Sequence, residues 1–268
     1  MGSYRLIDAH CHIYPDKIAT RAVAGTDTFY GLHSLYDGKV NTLLSIGNDV
    51  GIDHFVVQSV ATSPKQVQSI NEFIAATVAA YPAFMTGLGT LHPESSDIAA
   101  DVQHLKELGL HGVKLHPDIQ RFKIDDYRCL KIYELCEREQ LPILMHTGDS
   151  RYDFSNPNRL LPVLKIYTGL VVVGAHLGGW SVWKEARENL AGLPNFYVDT
   201  CSSLPFLSAE EAELTIRAYG ADRVLFGTDY PMFSASKELE LLEKLTLTAA
   251  EKQQILADNA VKVFRIGG

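Results

Sequence analysis

Short apolar segments alternate with longer amphipathic segments along this chain. Eight apolar segments have the length of a strand and are rich in Val, Ile and Leu, which is typical of a parallel sheet covered by helices. They are predicted at residues 5–10, 54–59, 84–90, 112–116, 142–146, 170–176, 196–200 and 224–229. Helical periodicity fills most of the intervals, and two further helical patterns follow the last strand, at 235–245 and 248–266.

Eight strand–helix units within about 250 residues are typical of a TIM barrel. We therefore predict an α/β fold, a single (β/α)8 TIM barrel of parallel strands with an extra C-terminal helix, as one domain over residues 1–268. The alternative is an open doubly wound sheet. Its first strand is often followed by a glycine-rich phosphate loop, and the segment HCHIYPDK contains none.

One interval lacks a helical pattern. Roughly 24 residues separate the first strand from the pattern that begins near Lys39, and a loop of that length is often a lid or a binding loop. Its ring-bearing residues are Tyr14, Phe29, Tyr30, His33 and Tyr36. We expect a loop here whose rings either wall a pocket or pack against one another at the surface.

Composition narrows the function classes. The formal net charge of −8 and the absence of a basic stripe argue against nucleic acid and a membrane surface as partners. The four cysteines show no C-x-x-C spacing and are expected to be free thiols, and no signal peptide or spanning segment is recognised. We expect a cytoplasmic protein that acts on a small molecule; the sequence leaves homodimer formation open.

Polar residues with metal-binding chemistry follow the apolar segments. The segment LIDAHCHIYP places His10 and His12 on one face of the first strand, with Asp8 one pleat below and Cys11 on the opposite face. The other strand ends carry His92, Lys114, His116, His146, His176, Asp199 and Asp229. Active sites of TIM barrels lie at these ends, so we expect the residues to converge.

Imidazole and carboxylate groups that converge in this way can hold a catalytic metal. Zn²⁺ in such sites takes three or four N/O ligands and keeps one position open for water, whose pKa it lowers toward 7. Mn²⁺, Fe²⁺ and Co²⁺ accept similar ligands. A single histidine at a strand end is more often an ordinary polar residue, so the prediction depends on the whole set.

The ordered motifs DAHCHIYP, GVKLHPDIQRF, PILMHTGD, VVVGAHLGG and VLFGTDYPM resemble those of the amidohydrolase superfamily. They are most similar to the branch that includes aminocarboxymuconate-semialdehyde decarboxylase and many small metal-dependent hydrolases. The resemblance implies that His10, His12, His146 and Asp229 bind one Zn²⁺, with Mn²⁺ or a second metal as alternatives. It also implies that Asp229 and His176 are the catalytic residues that move the proton of the metal-activated water.

Four further residues are predicted to bind substrate: Lys114, His116, Arg121 and Arg151. Lys114 shares a face with His116 and therefore points into the barrel. A carboxylated lysine bridging two metals, a base, and an ion pair with Asp8 or another interior carboxylate are the other interpretations of Lys114. The two loop arginines suit a carboxylate or phosphate on the substrate.

From these observations we predict a metal-dependent hydrolase that uses metal-activated water to cleave an ester, lactone or amide bond in a small anionic substrate. The first alternative is a metal-dependent, non-oxidative decarboxylase of an aromatic or unsaturated carboxylic acid, which would use the same ligands. The second is a non-catalytic metal-binding barrel, in which removal of the metal would unfold the protein.

Overall fold

Short parallel strands form the centre of the molecule. The computed structural model describes residues 5–267, so the ends of the predicted domain, 1–4 and 268, lie outside the described residues. The strands are β1 (Ile7–His12), β2 (His54–Gln58), β3 (Met85–Gly87), β4 (Gly89–Thr90), β5 (Val113–Leu115), β6 (Ile143–Met145), β7 (Val172–Gly174), β8 (Phe196–Asp199) and β9 (Val224–Leu225). Every strand pair is parallel, and neighbours in space follow one another in the chain.

The sheet closes into a cylinder. Residue Leu88 separates β3 from β4, and its backbone N–H still donates to Val57 of β2 at 2.9 Å, so the two halves act as one barrel strand. The first and last strands also meet, because the N–H of Ala9 donates to the carbonyl of Phe226 at 2.9 Å. The prediction of an eight-stranded parallel TIM barrel is confirmed.

Helices surround the barrel and follow most of its strands. They are α1 (Asp16–Tyr30), α2 (Val40–Val50), α3 (Val67–Ala80), α4 (Ile98–Glu107), α5 (Pro117–Gln120), α6 (Leu130–Arg138), α7 (Pro157–Ile166), α8 (Trp183–Leu190), α9 (Ala209–Tyr219), α10 (Ala235–Glu243), α11 (Ala249–Gln253) and α12 (Asn259–Phe264). A π-helical turn, Gln254–Asp258, joins α11 to α12. Among residues 5–267, no helix has the length and apolar character that crossing a membrane requires.

The predicted loop after the first strand is wrong, because most of it is the helix α1. Asp16 lies in the first turn and Gly31 ends the helix in a left-handed conformation, φ 66°. Only Ala19 and Val23 are fully buried, so the helix has no long apolar stripe packed against the core of the protein. The alanines and the one glycine of α1 are small, so the helical period of apolar residues is weak in its sequence.

Two hydrophobic clusters divide the barrel into an inside and an outside. The larger cluster fills the layer between strands and helices. The smaller one fills the barrel interior with alternate strand residues and closes it with α12. Its strand members include Ile7, Ala9, Val56, Leu88, Leu144 and Val173. The polar ends of the strands lie beyond this apolar filling.

A β-bulge changes the side-chain alternation of β1. Asp8 pairs with Phe55, but Cys11 pairs with Val57, so β1 contains one extra residue between these pairs. Ile7 and Ala9 lie inside the barrel before the bulge; beyond it the two histidines face the interior, while Cys11 packs in the outer layer as predicted. The expectation that Asp8 shares the face of the histidines is therefore wrong.

Asp8 instead holds the bulge. One of its carboxylate oxygens accepts from the backbone N–H of His10 at 3.1 Å and from that of Thr228 at 3.0 Å. The other oxygen accepts from the Thr228 hydroxyl at 2.6 Å. Asp8 thus ties β1 to the segment that follows β9, and it is not a partner of Lys114.

Candidate metal centre

Three predicted metal ligands converge at the C-terminal mouth of the barrel. His10 Nε2 lies 3.2 Å from His12 Nε2, and Asp229 Oδ1 lies 3.4 Å and 3.5 Å from these two nitrogens. The three side chains come from the ends of β1 and of the strand β9 at the point where the barrel closes. Two N donors and one carboxylate oxygen make a ligand set suited to a divalent transition metal.

The His10 ring is oriented by a carboxylate behind it. His10 Nδ1 lies 2.8 Å from Asp199 Oδ2, so the imidazole donates its N–H there and directs the lone pair of Nε2 into the cluster. The ammonium of Lys114 lies 3.1 Å from the same Nε2. The Lys114 ammonium is thus a positive charge next to the lone pairs of the cluster. Because the nitrogens of His10 and His12 and the carboxylate of Asp229 converge on one point, these donors fit a divalent metal.

Burial adjusts the protonation of this cluster. It lowers the pKa of His12 to about 3, and it also lowers the pKa of His10 and of His176, so these imidazoles stay neutral as metal ligation requires. Burial alone would raise the pKa of Asp229. Electrostatic interaction with the polar rings of His10, His176 and His12, together with the hydrogen bond from Ser202, outweighs that effect and lowers the pKa of Asp229 to about 2, so the carboxylate is ionised.

His146 and His176 form a second group of rings beside the first. His146 Nδ1 lies 2.9 Å from His176 Nε2, and His146 Nε2 lies 2.8 Å from the carbonyl of Gly148. His116 stacks on His146 with ring centroids 3.9 Å apart. Both nitrogens of His146 therefore have partners here. The ring of His176 lies beside both His146 and His10, so His146 does not directly join the compact set of His10, His12 and Asp229.

Both predicted catalytic residues have left-handed backbone conformations. The φ angle is 62° at His176 and 59° at Asp229, values that cost free energy in residues with a side chain. Asp199 Oδ1 accepts from the N–H of His176 at 2.8 Å, and the Ser202 hydroxyl donates to Asp229 Oδ2 at 2.6 Å. The surrounding hydrogen bonds thus hold two strained residues in place at the site.

A cavity of about 830 Å³ connects these residues to solvent. The two imidazoles of β1, His146, His176 and Asp229 all line it. Four cationic side chains line it as well: Lys17, Arg21, Lys114 and Arg121. Asp229 is the only carboxylate among the lining residues that the structure describes. The cavity therefore favours an anionic ligand over a cationic one.

The predicted substrate residues separate into two groups. Lys114, His116 and Arg121 line the cavity, and no ion pair involves Lys114 or Arg121 among residues 5–267. Lys114 is buried, and burial lowers its pKa. Arg151 lies outside the lining: its guanidinium binds the Asp149 carboxylate at 2.7 Å and the carbonyl of Phe29 at 2.8 Å.

Several residues around the site have roles that the sequence did not assign. Asp199 orients His10, and the Cys201 thiol lies 3.1 Å from His10 Nδ1. Tyr30, at the end of α1, places its hydroxyl 2.7 Å from His116 Nε2. The position of Asp199 at the end of a strand was a usable signal, whereas the contact of Tyr30 depends on the path of α1, which the pattern did not predict.

Comparisons with known proteins identify the proteins to which this chain is similar in sequence and in fold. In a 242-position alignment that covers 73% of this chain, the chain is 24% identical to 2-amino-3-carboxymuconate-6-semialdehyde decarboxylase of Dictyostelium discoideum. The alignment spans about 65% of that relative's length. An uncharacterised TIM-barrel protein of Bordetella bronchiseptica has a similar structure, with TM-score 0.82, 22% identity and coverage of 97% and 98% of the two chains.

A further solved structure has a related fold. It is a dihydroxybenzoic acid decarboxylase of Polaromonas sp. JS666 with bound manganese and the inhibitor 2-nitroresorcinol, at TM-score 0.75 and 18% identity, covering 99% of this chain and 98% of the other. The amidohydrolase family model matches residues 7–266. Because this match covers almost the whole sequence, the chain belongs to the amidohydrolase family.

Proposed function

We propose that this chain is a metal-dependent, non-oxidative decarboxylase that acts on an aromatic or unsaturated carboxylic acid. The observation that carries the proposal is the charge of the cavity: among the described residues, four cationic side chains and a single carboxylate line it, and that carboxylate belongs to the candidate ligand set. Such a cavity attracts an acid, and Lys114 offers it an ionic partner beside the candidate ligands.

The named relatives support decarboxylation over hydrolysis. The curated relative in Dictyostelium and the manganese-containing structure from Polaromonas are both decarboxylases. Hydrolysis, the reaction predicted first from the sequence, uses the same superfamily fold and the same ligands, so it is the outcome against which the proposal has to be tested.

The candidate ligands are chemically suited to a divalent metal. His10, His12 and Asp229 would hold it, and His146 is the predicted fourth ligand. Imidazole and carboxylate donors accept both Zn²⁺ and Mn²⁺. When bound, the ion supplies Lewis-acid polarisation of a substrate oxygen.

The residues of the chain perform the remaining tasks. Lys114 and Arg121 bind the anionic substrate, because both line the cavity and neither pairs with a carboxylate of residues 5–267. Loss of CO₂ breaks the bond from the carboxyl carbon to its neighbour and leaves the electron pair on that neighbour, which must then take up one proton. We assign the handling of this proton to His176 and Asp229, which line the same cavity.

Product analysis in D₂O tests the proposal. The purified, metal-loaded protein is incubated with a panel of hydroxybenzoic and unsaturated dicarboxylic acids, and released CO₂ and the products are measured. Decarboxylation yields one CO₂ per product and places one deuterium on the carbon that lost the carboxylate. A parallel panel of lactones and esters measures hydrolysis.

The control is the Asp229→Asn variant under the same conditions, which should release no CO₂ above background. Turnover of a lactone or ester without any CO₂ release from the acids would contradict the proposal and favour the hydrolase. Turnover of neither panel by protein with full metal content would also count against it.

A further inference from the structure

We infer that the substrate carries an extended apolar arm, which lies in a limb of the cavity between α1 and the start of α3. This inference rests on the proposed function, since it assigns the reacting carboxylate to the metal centre. We define the α1–α3 limb as the part of the cavity lined by Ile18, Ala22, Gly25, Ile70 and Phe73.

One wall of the limb is a single stripe along α1. Ile18, Ala22, Gly25 and Phe29 follow one another at intervals of three or four residues, which places them on one face of the helix. From Ile18 to Phe29 this face is about 16 Å long. Its apolar side chains belong to neither hydrophobic cluster of the described residues. They face the cavity and not the core of the protein.

The opposite wall comes from α3. Ile70 and Phe73 lie one turn apart on this helix and also line the cavity. Both side chains are half-buried and pack against the outer core on their other side. These apolar side chains of α1 and α3 line the same cavity as the metal centre, and Lys17 and Arg21 of α1 line that cavity as well.

Gly25 keeps this limb open. It lies within α1, where glycine is a poor helix former. A Cβ atom added there would have no other atom within 4 Å, so no packing against the protein requires glycine at this position. A large side chain at residue 25 would instead extend into free space beside the cavity that Gly25 lines.

The size of the cavity agrees with a larger ligand. About 830 Å³ lies in the upper part of the range of roughly 300–1,000 Å³ found for sites that bind drug-sized molecules. A single-ring acid held at the metal centre would leave the limb empty. The ligand class that fills both parts is an acid with an anionic head and an apolar tail, which is a longer molecule than the ring acids named in the comparisons.

Binding of a homologous series measures the limb directly. Benzoate, 4-butylbenzoate and 4-octylbenzoate are titrated calorimetrically into the metal-loaded protein, so that the readout does not depend on turnover. Each methylene buried in an apolar site raises affinity about fourfold at most. We expect 4-butylbenzoate to bind at least about tenfold more tightly than benzoate, with a further gain for 4-octylbenzoate.

Two matched variants test whether the gain in affinity from the alkyl chain arises in the α1–α3 limb. Gly25→Phe should retain the affinity for benzoate within twofold and lose most of the gain from the alkyl chains. Ala24→Phe, at the next residue of α1, is the control, because Ala24 is exposed and does not line the cavity; it should behave like the unmodified protein. An equal gain in both variants would overturn the inference.

The binding series and the CO₂ assay fail independently. Equal affinities for benzoate and 4-octylbenzoate would overturn the apolar arm, even if ring acids are decarboxylated. A gain that Gly25→Phe removes would support the limb even if no CO₂ is released, and in that case the proposed reaction alone would be wrong.

Discussion

The two ends of the barrel interior have opposite chemistry although the same strands build both. At the N-terminal end, Val56, Leu144, Val173 and Leu225 fill the cylinder together with Phe264 of α12. At the C-terminal end the inward-facing residues are imidazoles, an ionised carboxylate and a buried lysine. Along β6 the change from apolar to polar takes two residues, from Leu144 to His146.

The residues that stabilise the fold and the residues of the candidate site therefore lie at opposite ends of the barrel interior. The apolar end removes hydrocarbon surface from water and stabilises the fold. The polar end gathers groups that oppose folding, such as the left-handed backbone of His176 and Asp229 and the buried ammonium of Lys114. We therefore expect substitutions at the polar end to change metal binding and turnover, and substitutions at the apolar end to change the free energy of unfolding.

The largest effect is expected at a candidate ligand of the polar end. His12→Ala should reduce the metal content to background and lower kcat/KM by more than ~100-fold, because even residues that only support metal ligands cost ~10–100-fold. Elemental analysis and CO₂ release measure the two quantities. His33→Ala, at an exposed loop histidine, is the control, and normal metal content in His12→Ala would refute the assignment.

His176→Ala should retain the metal and lose turnover. Removal of a group that transfers a proton typically lowers kcat by ~10²–10⁴-fold. His176 lies outside the set of His10, His12 and Asp229, and with Cys201 and Asp229 it forms a second group that could hold a metal. The ratio of metal to protein, measured beside kcat, distinguishes the two roles. If this variant binds no metal, His176 is itself a ligand and the one-metal assignment is wrong.

At the apolar end, Phe264→Ala should destabilise the protein by about 3–5 kcal/mol, because the ring is fully buried among the interior residues. Urea unfolding measures this loss. The folded fraction should keep its metal and its kcat. Phe206→Ala, at an exposed ring, should change the free energy of unfolding by less than about 0.5 kcal/mol. A large loss of kcat in Phe264→Ala would break the separation of the two ends.

Asp199→Asn tests whether the hydrogen bond between Asp199 and His10 contributes to metal affinity. The amide keeps the size of the side chain but removes the charge that accepts from His10 Nδ1, so metal affinity should fall by ~10–100-fold. Competition with a chromogenic chelator gives the dissociation constant. An unchanged constant would show that Asp199 does not act through His10.

Removal of the metal should have the smallest effect on the fold. The interior cluster contains none of the candidate ligands, so chelation should abolish turnover and leave the far-UV circular dichroism spectrum unchanged at 25 °C. Re-addition of Mn²⁺ or Zn²⁺ should restore activity. Cooperative unfolding on chelation would instead support the non-catalytic metal-binding barrel.

Sequence patterns predicted the parts of the molecule that depend on local chemistry. The apolar segments correspond to the eight barrel strands. Because active sites of TIM barrels lie at the C-terminal ends of the strands, the sequence predicts that His10, His12 and Asp229 converge, and in the structure they line one cavity. The pattern failed where a long-range contact decides the structure. Tyr30 reaches His116 because of the path of α1, and Arg151 binds the Asp149 carboxylate and the carbonyl of Phe29 without lining the cavity itself.

The bulge in β1 has a consequence for how this segment tolerates change. If the same residues formed a regular pleat, with Ile7 and Ala9 still inside the barrel, both imidazoles would point toward the helices. Replacement of one apolar residue by another there leaves the parity intact. The direction of both ligands therefore depends on the one extra residue of the bulge, and on the Asp8 hydrogen bonds that hold it in place.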